Sequence, residues 1–338
     1  MDRLIGTGVA LVTPFDEQQR IDRESLYRLV NYVIDGGVDF LVALGTTAET
    51  ATLSADERAV VVHTILEANQ GRLPVIAGIG GNNTAEVIRE LQTATWLKAC
   101  QGILSITPCY NKPTQRGLYE HFKAIAAASP LPLCLYNVPG RSGVNMEAAT
   151  VAALSHDCPN IIAVKEASGR FDQATAILKS KRADFAALSG EDALLLPLMS
   201  LGFEGVISVI ANVLPNDYAC LVKSALQGDY PTARRIHLDR AELCKALFEE
   251  GFIIENDFTI NLWVENIPTD GTVFFKIADE NNNILYLNYY QNKIHCWKEV
   301  KSIRTHVVSN DIAYTKAEQV MIRIQQKENL YDVYAEIF

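Results

Sequence analysis

The sequence predicts a protein of the α/β class, a (β/α)8 barrel followed by a small all-β module. Three observations support this. Eight short apolar runs alternate with helical patterns over the first two thirds of the chain, polar residues follow most of those runs, and the last 80 or so residues change to a period of two. A chain of 338 residues is long enough for a barrel of about 250 residues and a small second domain.

The eight predicted strands are rich in β-branched and other apolar residues and lie at 8–14, 40–45, 74–80, 102–107, 131–137, 161–165, 185–189 and 205–211. Between the second and third strands, residues 54–69 are predicted to form a helix, because Ser54 and Glu57 form a capping-box pattern. Strands that alternate with helices pair in parallel, and eight of them close a barrel. An open doubly wound sheet of eight strands is the alternative.

Composition excludes several classes of partner. The chain has 30 basic and 40 acidic residues, a net charge of −10, which disfavours binding to nucleic acid or to an anionic membrane surface. Neither a membrane span nor a secretory leader is evident, so a cytosolic protein is expected. The seven cysteines are odd in number, are dispersed and form no CxxC pair, so the sequence predicts neither a disulfide framework nor a metal site.

Lys165 is the first candidate catalytic residue. It ends the sixth predicted strand, and the alternation of Ile161, Ala163 and Lys165 is expected to point it into the barrel above a small residue. Burial favours the neutral amine, which is the form that attacks a carbonyl group. The alternative is a structural ion pair of Lys165 with Glu191 or Asp192.

Hydroxyl and guanidinium groups follow three other strands. Thr46, Tyr110 and Tyr136 each lie at the end of a strand, so their hydroxyls are expected to converge over the barrel mouth, where active sites of such barrels lie. Aromatic residues could equally plug the barrel rim. Arg141 follows Tyr136 on the same loop and has a planar fork suited to a carboxylate, or it is a surface arginine.

Six motifs in register resemble the pyruvate-dependent lyase family of dihydrodipicolinate synthase and N-acetylneuraminate lyase, and are more similar to the dihydrodipicolinate synthase branch. They are GTTAE at 45–49, GIGGN at 78–82, TPCYN at 107–111, LYNVP at 135–139 with Arg141, VKEA at 164–167, and LSGED at 188–192. The resemblance covers residues 6–251.

The resemblance implies a Schiff-base lyase that condenses pyruvate with L-aspartate 4-semialdehyde to give 4-hydroxy-tetrahydrodipicolinate. It assigns the imine to Lys165, general acid–base catalysis to Tyr136, and the rest of a proton relay to Thr46 and Tyr110. The remaining substrate-binding residues that it implies are Thr47 for the pyruvate carboxylate, Arg141 for the carboxylate of the second substrate, and Gly190 and Ile207.

The resemblance further implies that no metal or organic cofactor is needed, because the lysine is itself the electron sink. Tyr110 is expected to reach the site of a neighbouring subunit, so that a homodimer or homotetramer is the active unit. Another pyruvate aldolase, acting on N-acetylneuraminate or a keto sugar acid, and an inactive barrel that presents the β module are the alternatives.

Two departures from the family pattern stand out. Ala48 replaces the usual glycine of the threonine motif, and we expect this change to be tolerated. Cys109 stands where lysine-inhibited members often carry a tyrosine, although Asn82 and Glu86 of the expected regulatory region are present. Feedback inhibition by lysine is therefore not expected.

The tail differs from the barrel. After residue 251 the closing helices expected for the family are missing, so the predicted domains are 1–251 and 257–338. The alternating apolar runs at 258–264, 273–277 and 320–324, with turn patterns at 268–271 and 280–283, predict an antiparallel sandwich. The tail is faintly similar to galectin-like sandwiches, but Tyr286, Asn288 and Tyr289 occupy the place of the sugar-binding His-x-Asn-x-Arg pattern. A lectin, an interaction module and an unrelated fusion partner all remain open, and so does a ligand groove lined by Trp263, Tyr289, Tyr290 and Trp297.

Overall fold

A closed barrel of eight parallel strands forms the first part of the chain in the computed structural model, which describes residues 3–249 and seven strands between 259 and 337. Contacts divide the chain into two compact units, Met1–Ala241 and Glu242–Phe338. The predicted (β/α)8 barrel is confirmed, and the open doubly wound sheet is wrong because β1 pairs with β8 and so closes the sheet.

All eight predicted barrel strands are present, each next to its neighbours in sequence. They are β1 Gly6–Ala10, β2 Phe40–Ala43, β3 Val75–Gly78, β4 Gly102–Ile106, β5 Leu133–Asn137, β6 Ile161–Glu166, β7 Ala186–Ser189 and β8 Gly205–Ser208. The prediction placed the first strand too late. The amide of Leu11 still donates to the carbonyl of Val42 on β2, whereas the amide of Val12 donates to the side chain of Asn212, so regular pairing ends there.

Helices connect the strands and cover the outside of the barrel. Their bounds are α1 Arg23–Asp35, α2 Ala55–Asn69, α3 Thr84–Thr93, α4 Gln115–Ala128, α5 Pro139–Ser142, α6 Ala148–Asp157, α7 Phe171–Ser180, α8 Leu195–Leu201, α9 Pro215–Leu226, α10 Tyr230–Asp239 and α11 Ala241–Glu249. The predicted capping box is confirmed at the start of α2, where Ser54 and Glu57 bond reciprocally. None of the helices in residues 3–249 is both long and apolar enough to cross a bilayer.

The barrel interior is filled by alternate residues of the strands, as expected for side chains that point to opposite faces in turn. This interior layer includes Ala10, Phe40, Val42, Ile76, Leu104, Cys134, Tyr136, Ala163, Ala186, Leu188 and Ile207. The interior is therefore a packed core, and the chemistry has to lie above it, at the ends of the strands.

The alternation predicted for β6 is wrong at one position. The register of β5 and β6 shifts after Leu133, which pairs with Ile161, whereas Cys134 pairs with Ala163. Because the bulge inserts one residue, Ile162 rather than Ile161 joins the interior cluster. Ala163 does lie inside, as predicted.

Seven strands follow the barrel helices in the described part of the tail. They are β9 Thr259–Glu265, β10 Val273–Ala278, β11 Ile284–Tyr290, β12 Lys293–Val300, β13 Ile303–Asp311, β14 Gln319–Lys327 and β15 Leu330–Ile337. They pair antiparallel in two sheets, of order β10-β11-β12-β13 and β15-β14-β9. The predicted turns at 268–271 and 280–283 lie outside the described residues.

Candidate active site

Lys165 and Tyr136 form the centre of the site, on adjacent strands. Their Cα atoms are register partners across β5 and β6, and the lysine Nζ lies 4.3 Å from the centroid of the tyrosine ring. Both side chains are buried, at 3% and 5% exposure. The sequence placed these two residues together, and the structure does the same.

Lys165 has no counter-ion in the described barrel. None of the ion pairs found in residues 3–249 includes it, so the alternative of a structural ion pair with Glu191 or Asp192 is wrong. A buried amine that takes part in no ion pair is available as a nucleophile. The arrangement can therefore attack a carbonyl group.

Cys134 lies below Tyr136 on β5, within the interior layer. Burial raises the pKa of its thiol to about 12, although the nearby charge and backbone of Lys165 act in the opposite direction. The thiol therefore stays protonated at neutral pH and fills space next to the lysine.

Gly190 directly follows β7 and packs against the stem of the lysine. A Cβ atom at this position would lie 2.7 Å from the Cβ of Ala167 and 3.0 Å from the Cε of Lys165. Any side chain here would displace the lysine, which explains why the position needs glycine. Ile207, on β8, is fully buried in the interior layer. Substrate contacts by Gly190 and Ile207 stay predictions.

Thr46 and Thr47 form a single turn of 3-10 helix, Thr46–Ala48, directly after β2. Both are half-buried, and residues on either side of the turn, Leu44 and Glu49, have φ angles of 55° and 57°. Ala48 is not among the residues with positive φ, although it is 1% exposed. The backbone at that position does not require glycine, which supports the expectation that alanine is tolerated.

Tyr110 stands apart from Tyr136 within a single chain. Its side chain is 88% exposed, and its φ angle of 69° lies in the left-handed region, which a tyrosine rarely adopts. Thus the three hydroxyls that the sequence predicted over the barrel mouth do not all meet inside one copy of the chain.

Arg141 lies on the short helix α5 after Tyr136 and is exposed. Glu191 is half-buried, and burial raises the pKa of its carboxyl group. The charges of Lys165 and Arg141 counteract this rise, and that of Asp192 reinforces it. Glu191 therefore lies near both basic side chains.

Asp192 connects the ends of β7 and β8. Its Oδ2 atom accepts hydrogen bonds from the amides of Val209 at 2.8 Å and Ile210 at 3.0 Å. The residue is 1% exposed, and burial raises the pKa of its carboxyl group. Sequence reasoning considered Asp192 only as a partner of Lys165 and missed this capping role, which depends on where the loop after β8 lies.

The three predicted regulatory residues lie on two neighbouring loops and at the start of α3. The backbone carbonyl of Asn82 accepts a hydrogen bond of 3.3 Å from the side chain of Asn111, two residues after the exposed Cys109. Glu86 lies in the first turn of α3 and forms an ion pair of 3.5 Å with Arg89. The structure thus places Asn82 and Cys109 on linked loops, and their regulatory role stays a prediction.

A second polar cluster was missed by sequence reasoning. Asn137 and Glu166 follow the two central residues directly, are 0% and 3% exposed, and are hydrogen-bonded to each other. The signal available in the sequence was a polar residue at the buried outer position of two consecutive strands. In the described residues, no group of three or more His, Cys, Asp or Glu side chains is arranged to hold a metal ion.

Comparison with known proteins extends these observations. A family model, that of the dihydrodipicolinate synthetase family, matches residues 3–263. The match ends 12 residues after residue 251, where the resemblance found in the sequence ends.

Two curated proteins named 4-hydroxy-tetrahydrodipicolinate synthase are similar over most of their length. The one from Flavobacterium psychrophilum is 49% identical over 251 residues, which cover 74% of this chain and 85% of the relative. The one from Parabacteroides distasonis is 48% identical over 284 residues, which cover 82% of this chain and 95% of the relative.

Among solved structures, the dihydrodipicolinate synthase of Aquifex aeolicus matches with a TM-score of 0.70 and 42% identity. The match covers 73% of this chain and 84% of that one. The family model and the identities agree with the six motifs and the closed barrel, and the chain belongs to the dihydrodipicolinate synthetase family.

Proposed function

We propose that this chain is a 4-hydroxy-tetrahydrodipicolinate synthase, a Schiff-base lyase that condenses pyruvate with L-aspartate 4-semialdehyde in the biosynthesis of diaminopimelate and lysine. The observation that carries the proposal is a buried lysine without a counter-ion, 4.3 Å from a tyrosine ring at the end of a barrel strand. The similarity to enzymes of that name supports it.

The reaction begins at Lys165. Its neutral amine attacks the ketone carbon of pyruvate, and loss of water leaves an imine that withdraws electrons from the methyl group. The ring of Tyr136 lies 4.3 Å from the amine, so its hydroxyl is assigned the proton transfers of imine and enamine formation, with Thr46 as the next member of the relay. The enamine carbon then attacks the aldehyde.

The second substrate is bound through its charges. Arg141 is exposed at the mouth and offers two parallel donors to the carboxylate of aspartate semialdehyde. Thr46 and Thr47 bind the pyruvate carboxylate, and Gly190 and Ile207 line the floor of the site. The amine of the condensed product finally displaces Lys165 and closes the ring, which frees the enzyme.

Tyr110 is assigned to a second copy of the chain. Its exposure and its φ angle of 69° support a side chain that is held outwards, to complete the relay of a neighbouring site in a homodimer or homotetramer. The regulatory residues Asn82, Glu86 and Cys109 belong to the same proposal, in which the missing tyrosine at 109 removes inhibition by lysine.

One experiment tests the activity and its substrate class together. Purified protein is given pyruvate with either aspartate semialdehyde or N-acetylmannosamine, and product formation is followed by mass spectrometry. We expect turnover only with aspartate semialdehyde, and we expect Arg141→Ala to raise the KM for that substrate far more than for pyruvate. Turnover only with N-acetylmannosamine would replace this function by a sialic acid aldolase, and no turnover with either would favour the inactive scaffold.

For the tail, we infer that β9 to β15 form an all-β module that is not needed for the chemistry. The two antiparallel sheets support this inference. A chain that ends at residue 249 contains every proposed catalytic residue, and we expect it to form the pyruvate imine. Loss of imine formation in a folded truncated chain would show that the chemistry does require the tail.

A further inference from the structure

Asn137 and Glu166 lie directly behind the catalytic pair, on the outer face of the barrel strands. They are the last residues of β5 and β6, and they are register partners, as Tyr136 and Lys165 are one residue earlier. Successive residues of a strand point to opposite faces. Asn137 and Glu166 therefore lie on the face of the two strands opposite to Tyr136 and Lys165.

Glu166 is a buried carboxylate that is held by neutral donors. Its Oε1 atom accepts from the amide of Ser168 at 2.7 Å, and its Oε2 atom accepts from Asn137 Nδ2 at 3.0 Å and from Gln173 Nε2 at 2.9 Å. No ion pair within residues 3–249 includes Glu166. Because a carboxylate can only accept, it forces both amide groups to turn their NH₂ towards it.

The orientation of Asn137 then determines its other contacts. With its nitrogen turned towards Glu166, its Oδ1 atom accepts from the amide of Met146 at 2.9 Å, and its Nδ2 atom also donates to Asn145 at 2.9 Å. Asn145 in turn donates to Gln173 Oε1 at 2.7 Å. One continuous network thus joins β5, the segment before α6, β6 and α7.

The inner face holds the catalytic pair by packing and by no side-chain hydrogen bond among the described residues. Within the described residues, no side-chain hydrogen bond involves Lys165 Nζ or the Tyr136 hydroxyl, and their contact is that of an amine with a ring. The stems of both side chains are packed inside the barrel, so polar support for their geometry comes from the backbone and from the outer face.

We propose that Asn137 and Glu166 are positioning residues of the reaction. Their hydrogen bond fixes the last residues of β5 and β6 against each other and so keeps the Tyr136 hydroxyl within reach of the imine on Lys165. This inference rests on the proposed function, because it assigns a role to the support of the same site. A displacement of about 1 Å between reacting groups can cost about 100-fold in rate.

Three variants of the full chain test the proposal. Asn137→Asp places a carboxylate against a carboxylate, and Glu166→Leu removes the acceptor of the Asn137 amide, so each breaks the bond. The double variant N137D/E166Q restores one donor and one acceptor with their roles exchanged. Two quantities are measured with pyruvate alone: the exchange of its methyl hydrogens in deuterium oxide, and the adduct trapped on Lys165 by borohydride.

We expect each single variant to slow methyl exchange by about 10- to 100-fold, because exchange requires the proton transfer by Tyr136. The trapped adduct at saturating pyruvate should remain, since Lys165 itself is unchanged. The double variant should recover much of the exchange rate, a rescue that a loss of stability alone would not give.

Asn69→Asp is the matched control. Asn69 is 2% exposed at the end of α2, where it donates 2.7 Å to the carbonyl of Leu73, outside the barrel mouth. It should lower the melting temperature and leave the exchange rate of the folded protein unchanged. Exchange at the parent rate in folded Glu166→Leu and Asn137→Asp would overturn the positioning role, as would equal slowing by Asn69→Asp. A parent chain that traps no pyruvate would instead contradict the proposed function.

Discussion

Strand β6 carries two ionisable residues in succession, and its two faces support them differently. Lys165 on the inner face and Glu166 on the outer face are each 3% exposed. The carboxylate accepts hydrogen bonds from three neutral groups, whereas the amine has no ion pair within the described barrel. The two groups are equally buried, but only the carboxylate of Glu166 is stabilised by hydrogen bonds.

The difference shows how a structural charge can be told from a reactive one. A buried carboxylate that is surrounded by fixed donors regains the hydrogen bonds that it lost on leaving water. These bonds also hold the neighbouring side chains in place. A buried amine without such partners keeps the cost of burial and is available for chemistry. Four predictions use this contrast, in order of decreasing effect.

The largest effect is expected for Lys165→Ala. Removing the nucleophile should lower turnover by roughly 10³-fold or more and abolish the borohydride-trapped pyruvate adduct. Lys179→Ala, at an exposed position on α7, is the control and should trap pyruvate as the parent does. An adduct of unchanged yield in Lys165→Ala would mean that another lysine forms the imine.

Tyr136→Phe should lower turnover by about 10² to 10⁴, the usual contribution of a positioned acid or base. Pyruvate should still be trapped, because the amine remains. The control is Tyr119→Phe, which removes a hydroxyl that bonds to Asp157 on the outer surface. Steady-state rates equal to those of the parent would remove Tyr136 from the proton relay.

Glu166→Leu should lower the free energy of unfolding by about 3 kcal/mol, because donors on Asn137, Ser168 and Gln173 lose their acceptor in a buried place. Denaturant titration measures this, and Glu120→Leu on the exposed face of α4 should change stability by only about 0.5 kcal/mol or less. A difference of similar size for both variants would mean that the network contributes nothing to stability.

The smallest effect is expected for Lys165→Met, in which a flexible apolar chain replaces the unpaired amine. Stability should stay within about 1 kcal/mol of the parent or rise, since the position is optimised for reaction rather than for stability. The same titration tests it. A loss as large as that in Glu166→Leu would show that Lys165 has a structural partner after all.

Much of the barrel could be predicted from the sequence, because each strand is a local pattern. The eight apolar runs became eight strands, and the capping pattern at Ser54 began α2 at the next residue. The prediction was wrong where the pairing of two strands changes the alternation of inward and outward side chains. The bulge in β6 placed Ile162 inside instead of Ile161, since the register of a strand depends on its neighbour.

The candidate site was predictable in part for the same reason. Lys165 and Tyr136 end consecutive strands, and parallel pairing brings the ends of such strands together. The exposure of Tyr110, the contact of Gly190 with the lysine stem, and the network around Glu166 were not predictable, because each depends on side chains from segments that are distant in sequence.

The sequence by itself determined the order of strands and helices, the parallel barrel and the residues at the strand ends, because hydrophobic period, caps and loop length are local properties. Only the tertiary structure decided that Lys165 has no ion pair within the described barrel while Glu166, one residue later, is fully hydrogen-bonded. The physical reason is that a buried charge is stabilised or left unpaired by groups that the closed barrel brings to it, here from β5, the loop after β6 and α7.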